Sequence, residues 1–156
     1  MAFFRSFKYA FFGFWHCIKT QRNFRFHTMA ALSAMLLAYK YNLNQTEKLV
    51  LMFTIIFVLI SEMFNTSIES IVDIKTKEIN PYAKIAKDVA AGSVLVSALA
   101  ASATGLVLFY NNGEIWRVMS EYIKNPLFYI YIVIGLVYVS GILFIPRKKD
   151  EKTNGK

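Results

Sequence analysis

Cysteine occurs once in this chain, at Cys17. A single thiol excludes an intrachain disulfide framework and cannot by itself build a metal cluster. On an amphipathic segment it reads as a small apolar contact. Histidine occurs twice, and His16 and His27 show no zinc-ligand spacing with each other or with Cys17. His27 reads as an interfacial capping or hydrogen-bonding residue. Neither a Walker A sequence nor a kinase-type glycine loop appears among the seven glycines. Any bound nucleotide must therefore be held by scattered cations and metal-bridged phosphates. Carboxylates are few, 10 against 18 lysines and arginines. The aromatic N-terminus is broken by Arg5 and Lys8 and lacks a small-residue cleavage site, so no cleavable signal peptide is expected.

Apolar residues are abundant: 56% of the chain is hydrophobic and 16% aromatic, and the mean hydropathy is +0.40. That is too apolar for an ordinary soluble domain. Four stretches stand out, about 28–43, 49–72, 89–110 and 127–145. The last two have the roughly 20 residues needed to cross a hydrocarbon core. The first is short and spans only if Phe24 and Phe26 enter the interface or the bilayer thins. The predicted class is an all-α polytopic membrane bundle with four spans. If the N-terminus is cytoplasmic, 14 of the 18 basic residues fall on one side, with only Lys40, Lys48, Arg117 and Lys124 outside. This positive-inside bias places both termini in the cytoplasm. It also accounts for the net charge of +8 without nucleic acid, since no stacking-aromatic module accompanies the cations.

Residues 2–19 mix Phe, Tyr and Trp with Arg5, Lys8 and Lys19, as an interfacial helix does. "TQRNFRFH" at 20–27 reads as a turn into the first span, and Thr46 as a possible N-cap of a long second helix. That helix is expected to end before Pro81, with "NPYAKIAKD" as a tight cytoplasmic loop. Ser93, Ser97, Ala101 and Gly105 recur at every fourth position of the third span, the spacing that lets helices approach closely in lipid. "NNGEIWRVMSEYIKNP" reads as an external connector anchored through Trp116 and Tyr122. The final stretch is stopped by Pro146 and a basic tail.

The chemistry-bearing segment is "LISEMFNTSIESIVDIKTKEI", 59–79. At about 100° per residue, Glu62, Asn65, Glu69 and Asp73 lie within about 80° of one another, on a stripe about 16 Å long. Carboxylates at membrane depth are costly and mark function or a partner. A stripe merely facing cytoplasm explains Asp73, but not Glu62, which follows an apolar run. Oxygen ligands without His or Cys favour a hard cation such as Mg²⁺, which typically uses one or two carboxylates and substrate phosphates. A desolvated Glu62 suits a general base. Lys87 and Asp88, across the short loop, are within reach of the same region.

"E-x-x-N-(T/S)-x-I-E-x-x-V-D" at 62–73 and "A-K-D-x-(A/G)-(A/S)" at 86–91 resemble the signature of the small bacterial integral-membrane diacylglycerol kinases. The Gram-positive branch of that family acts as undecaprenol kinase. "RSFKYAFFG" at 5–13 and "NFRFH" at 23–27 resemble its surface helix and first-span entry. The resemblance implies phosphoryl transfer from MgATP to the primary hydroxyl of a membrane lipid. Undecaprenol is the favoured acceptor and diacylglycerol the alternative. It implies a homotrimer of three-span protomers with active sites shared between subunits. By motif position Glu62 is then the catalytic base, while Asn65, Glu69, Lys87 and Asp88 position nucleotide and metal. Asp73 supports the site, and Arg5 and Tyr9 meet the nucleotide. Two departures stand out. Gln21 stands where the family has a metal-ligating glutamate, so one metal site is expected to be weaker or lost. That is consistent with altered affinity, with compensation by another carboxylate, or with a non-catalytic membrane protein of the same fold. The fourth span is absent from the core family. The chain therefore divides into a kinase core, 1–110, and an appended connector, span and tail, 111–156.

Overall fold

A computed structural model describes residues 2–41, 43–75, 80–110 and 115–124, with single positions at 126, 129, 133, 135, 137 and 140. Among them all regular structure is helical: α1 Ala2–Thr20, α2 Arg22–Lys40, α3 Gln45–Lys75, α4 Pro81–Tyr110 and α5 Ile115–Lys124. Most of the expected fourth span lies outside the described residues, and so does all of the basic tail.

The joints differ from the sequence expectation in instructive ways. Only Gln21, with φ −100° and ψ 112°, departs from helix between α1 and α2. "NFRFH" is therefore the first turns of α2 and not a turn into it. The Gln21 N–H donates to Cys17 O at 2.9 Å and closes α1, while Gln21 O accepts from the Arg25 N–H at 3.2 Å and opens α2. The fold-back is locked by Phe24, which is fully buried and meets the Phe14 ring edge-on at 5.3 Å.

Helix α3 is capped by Asn44 and not by Thr46. The Asn44 side-chain oxygen accepts from the Glu47 N–H at 2.9 Å, and the Glu47 carboxylate accepts from the Asn44 N–H at 2.8 Å. This reciprocal pair satisfies two donors that a helix start would otherwise leave unpaired. Asn80 does the same for α4, accepting from the N–H groups of Tyr82 at 2.9 Å and Ala83 at 3.3 Å. Pro81 then occupies the first helical position, where its missing N–H costs nothing. Tyr82–Asp88, expected as loop, is thus the first two turns of α4.

At 31 and 30 residues, α3 and α4 extend about 45 Å each and overrun a hydrocarbon core of about 30 Å. They are the two helices among the described residues long and apolar enough to cross a membrane. Outward-facing Phe53, Phe57, Leu99 and Leu106 are more than 60% exposed on them, which is apolar surface that demands lipid or a neighbouring chain. Among the described residues, then, the molecule is a helical membrane protein.

The two long helices pack antiparallel. Ser61 and Ser97 hydroxyls meet at 2.9 Å, and Lys87 pairs with Asp73. Helix α2 lies against them, antiparallel to α3. Its far end joins Ala38 and Tyr41 to Leu43 and Leu51 in a buried cluster, with the Tyr41 ring 5.3 Å from Phe109. Ser97 of the small-residue ladder is buried between helices, and Ala101 and Gly105 border a groove described below.

Candidate active site

The opposite end of this bundle holds Glu62. Its side chain is 2% exposed, and its Oε1 makes no hydrogen bond. The Thr66 hydroxyl donates to its backbone carbonyl at 2.9 Å and not to its carboxylate. One neighbour approaches it: Nε2 of His27, on α2, lies 3.4 Å from Oε1. From the α1 side comes buried Cys17. Burial pushes its thiol pKa above the ordinary value; a hydrogen bond with Thr66 opposes this shift and the charge of Glu62 adds to it.

One turn along α3, the Asn65 amide donates to Glu69 Oε1 at 3.2 Å, leaving the buried Asn65 Oδ1 without a hydrogen bond. Glu69 is half-buried and Asp73 exposed. The stripe therefore grades from dry to wet along its length. Two oxygens without hydrogen bonds and a further carboxylate thus recur along this stripe, donor chemistry of the kind a hard cation prefers. Among the described residues no group of three or more His, Cys, Asp or Glu side chains is placed to hold a metal ion.

The other expected residues fall less centrally. Lys87 is engaged by Asp73, an ion pair at an exposed position where solvent screens it. Asp88 is exposed at the start of α4, and Arg5 and Tyr9 are exposed on α1. Gln21 forms the α1–α2 joint, and its side chain does not cap α2.

A groove of about 290 Å³ runs between α2, α3 and α4 and begins at His27. Ala31 and Ala34 of α2, Ile55 of α3, and Ala101 and Gly105 of α4 border it. Small side chains on two helices leave room that larger ones would fill. His27 is thus shared between the groove and the Glu62 carboxylate; of the two roles expected, capping or hydrogen bonding, the polar approach to Glu62 favours the second. Sequence reasoning missed this position, although Phe24, His27, Ala31 and Ala34 recur at helical spacing and put His27 on the buried face of α2.

The family model for prokaryotic diacylglycerol kinase matches residues 8–109. This chain belongs to that family. The undecaprenol kinase of Bacillus subtilis is 41% identical over 112 residues, covering 69% of this chain and 87% of that protein. The diacylglycerol kinase of Synechocystis sp. is 42% identical over 101 residues, 64% of this chain and 58% of that protein. The expectation of a lipid kinase is borne out at the level of the family, and the matched segment holds every candidate site residue except Arg5.

Proposed function

We propose that this family member transfers the γ-phosphoryl group of MgATP to the primary hydroxyl of undecaprenol, giving undecaprenyl phosphate. The observation that carries the reading is the buried Glu62 carboxylate, 3.4 Å from the His27 imidazole that lines an apolar groove. A long-chain alcohol needs such a junction, with hydrocarbon in the groove and hydroxyl at the base. Glu62 accepts the hydroxyl proton as the oxygen bonds to the γ-phosphorus; the bond to the β–γ bridging oxygen breaks and ADP leaves. Phosphoryl transfer asks chiefly for positioning and charge neutralisation. Asn65 and Glu69, with Gln21 as a weaker neutral ligand, are the residues assigned to hold Mg²⁺, and their oxygen donors fit it. The ion supplies charge neutralisation at the phosphates when bound. Lys87 and Asp88 are assigned to nucleotide positioning, Arg5 and Tyr9 to its outer contacts, and Asp73 to holding Lys87.

Undecaprenol is preferred because the undecaprenol kinase relative is matched over more of its length than the diacylglycerol kinase relative. Diacylglycerol is the second reading, favoured by the equally similar relative that carries that name. We further assign α1 to the membrane interface, α2 and the 127–145 stretch to additional spans, and both termini to the cytoplasm. Residues 1–110 form the catalytic core, 111–156 an appendage, and the assembly is a homotrimer. The test is MgATP-dependent phosphorylation in mixed micelles offering each lipid separately, with Mg²⁺ varied. Faster turnover of undecaprenol supports the assignment, and faster turnover of diacylglycerol transfers it to the second reading. Transfer to neither by a folded oligomer overturns both.

A further inference from the structure

His27 has no place in the reaction as described so far, yet three observations converge on it. Its Nε2 stands 3.4 Å from Oε1 of Glu62. That oxygen is buried and has no hydrogen bond. The same imidazole lines the head of the apolar groove. A carboxylate turns easily about its terminal torsion, so a base whose Oε1 accepts no hydrogen bond is not fixed in orientation through that oxygen. The Thr66 hydroxyl is spent on the Glu62 backbone carbonyl and does not restrain the carboxylate. Arg25, two residues earlier, lies about 200° around α2, and its buried Nε has no hydrogen bond. At 3.4 Å a small rotation of either side chain closes a hydrogen bond, and catalytic hydrogen bonds are often long before the substrate complex forms.

We propose that His27 is a positioning residue: its Nε2 holds Oε1 of Glu62 and thereby aims the other carboxylate oxygen toward the lipid hydroxyl arriving along the groove. The assignment rests on the kinase reading above. The Phe26 ring, edge-on to the imidazole at 5.8 Å, braces the histidine from the groove side.

The experiment compares His27→Gln, whose amide N–H falls near the position of Nε2, with His27→Met, which matches Gln in length and has no donor. Each full-length variant is assayed in micelles on whichever lipid the unmodified protein turns over. His27→Met is expected to lower kcat about tenfold or more, the low end of what a hydrogen bond to a charged group supplies. KM for ATP should stay unchanged, and His27→Gln should recover most of the rate. Unchanged kcat in His27→Met overturns the proposal, as do equal losses in the two folded variants. If His27→Met does not fold, His27→Leu replaces it with the same thresholds; a folded His27→Gln as slow as a catalytic knock-out also overturns it. Failure of the kinase reading itself is distinct, because the unmodified protein then phosphorylates neither lipid.

Discussion

Replacing Glu62 with glutamine separates chemistry from architecture more cleanly than any other single change. The amide has nearly the volume of the carboxylate, so the tight surroundings of a side chain 2% exposed are preserved. The Thr66 hydroxyl bonds the residue 62 carbonyl, not its side chain, and survives the substitution. On the proposed reading, what is lost is the proton acceptor. A positioned general base contributes about 10²–10⁴ in rate, equivalent to about 3–5 kcal/mol of barrier. We therefore expect kcat for the lipid to fall by two to four orders of magnitude, with KM for ATP little changed because Asn65 and Glu69 are untouched. Stability should move the other way or not at all. Oε1 is a buried polar atom without a hydrogen bond, and removing its charge relieves a desolvation cost. The assay pairs lipid phosphorylation in micelles with thermal unfolding of the same preparation. Turnover within a factor of about ten of the unmodified protein is too small a loss for a general base and refutes the assignment. A loss of activity that tracks a loss of folded protein refutes it too. Unchanged kcat with a raised Mg²⁺ requirement would make Glu62 a metal ligand instead.

Two further outcomes follow from the α1 side of the site. Phe24→Ala removes a fully buried ring stacked edge-on against Phe14 and should cost about 3–5 kcal/mol, read as a clear fall in Tm that Phe24→Leu largely restores; an unchanged Tm would show that this contact does not hold α1 to α2. Cys17 is the single thiol in the chain, and its pKa is raised chiefly by burial. Less thiolate is therefore present at any given pH below the raised value, and iodoacetamide should react more slowly with the native protein than with the denatured one, with the native rate climbing at higher pH. Equal rates in the two states would contradict the burial of Cys17.

The sequence made the long helices legible because their signals are local. Apolar runs announced α3 and α4, and the asparagine–proline pair at 80–81 marked the break between them. The boundaries were harder. Asn44 won the α3 cap from Thr46 because Glu47 is spaced to return the bond, a reciprocity that a single-residue preference does not reveal. Pro81 was expected to sit in a loop, whereas it starts a helix, since proline excludes helix behind it more than ahead of it. At Gln21 a single extended residue suffices to end one helix and begin the next. No glycine or proline advertises that joint.

The site divides along the same line. Glu62, Asn65, Glu69 and Asp73 share one helix, so 3.6-residue periodicity alone places them on one stripe. The approach of His27 and Cys17 to that stripe depends on how α1 and α2 pack, which periodicity does not encode. The burial gradient along the stripe has a chemical reading of its own. A reaction between a hydrocarbon-borne hydroxyl and a highly charged nucleotide needs one end of the site dry and the other wet. Glu62 is almost wholly enclosed beside the apolar groove, whereas the side chain of Asp73, three turns on, is 67% exposed and already holds a lysine. On the proposed reading, helix α3 spans in eleven residues the distance from lipid acceptor to phosphate donor. A substitution that wets the Glu62 end or greases the Asp73 end should therefore impair one substrate's KM and spare the other's.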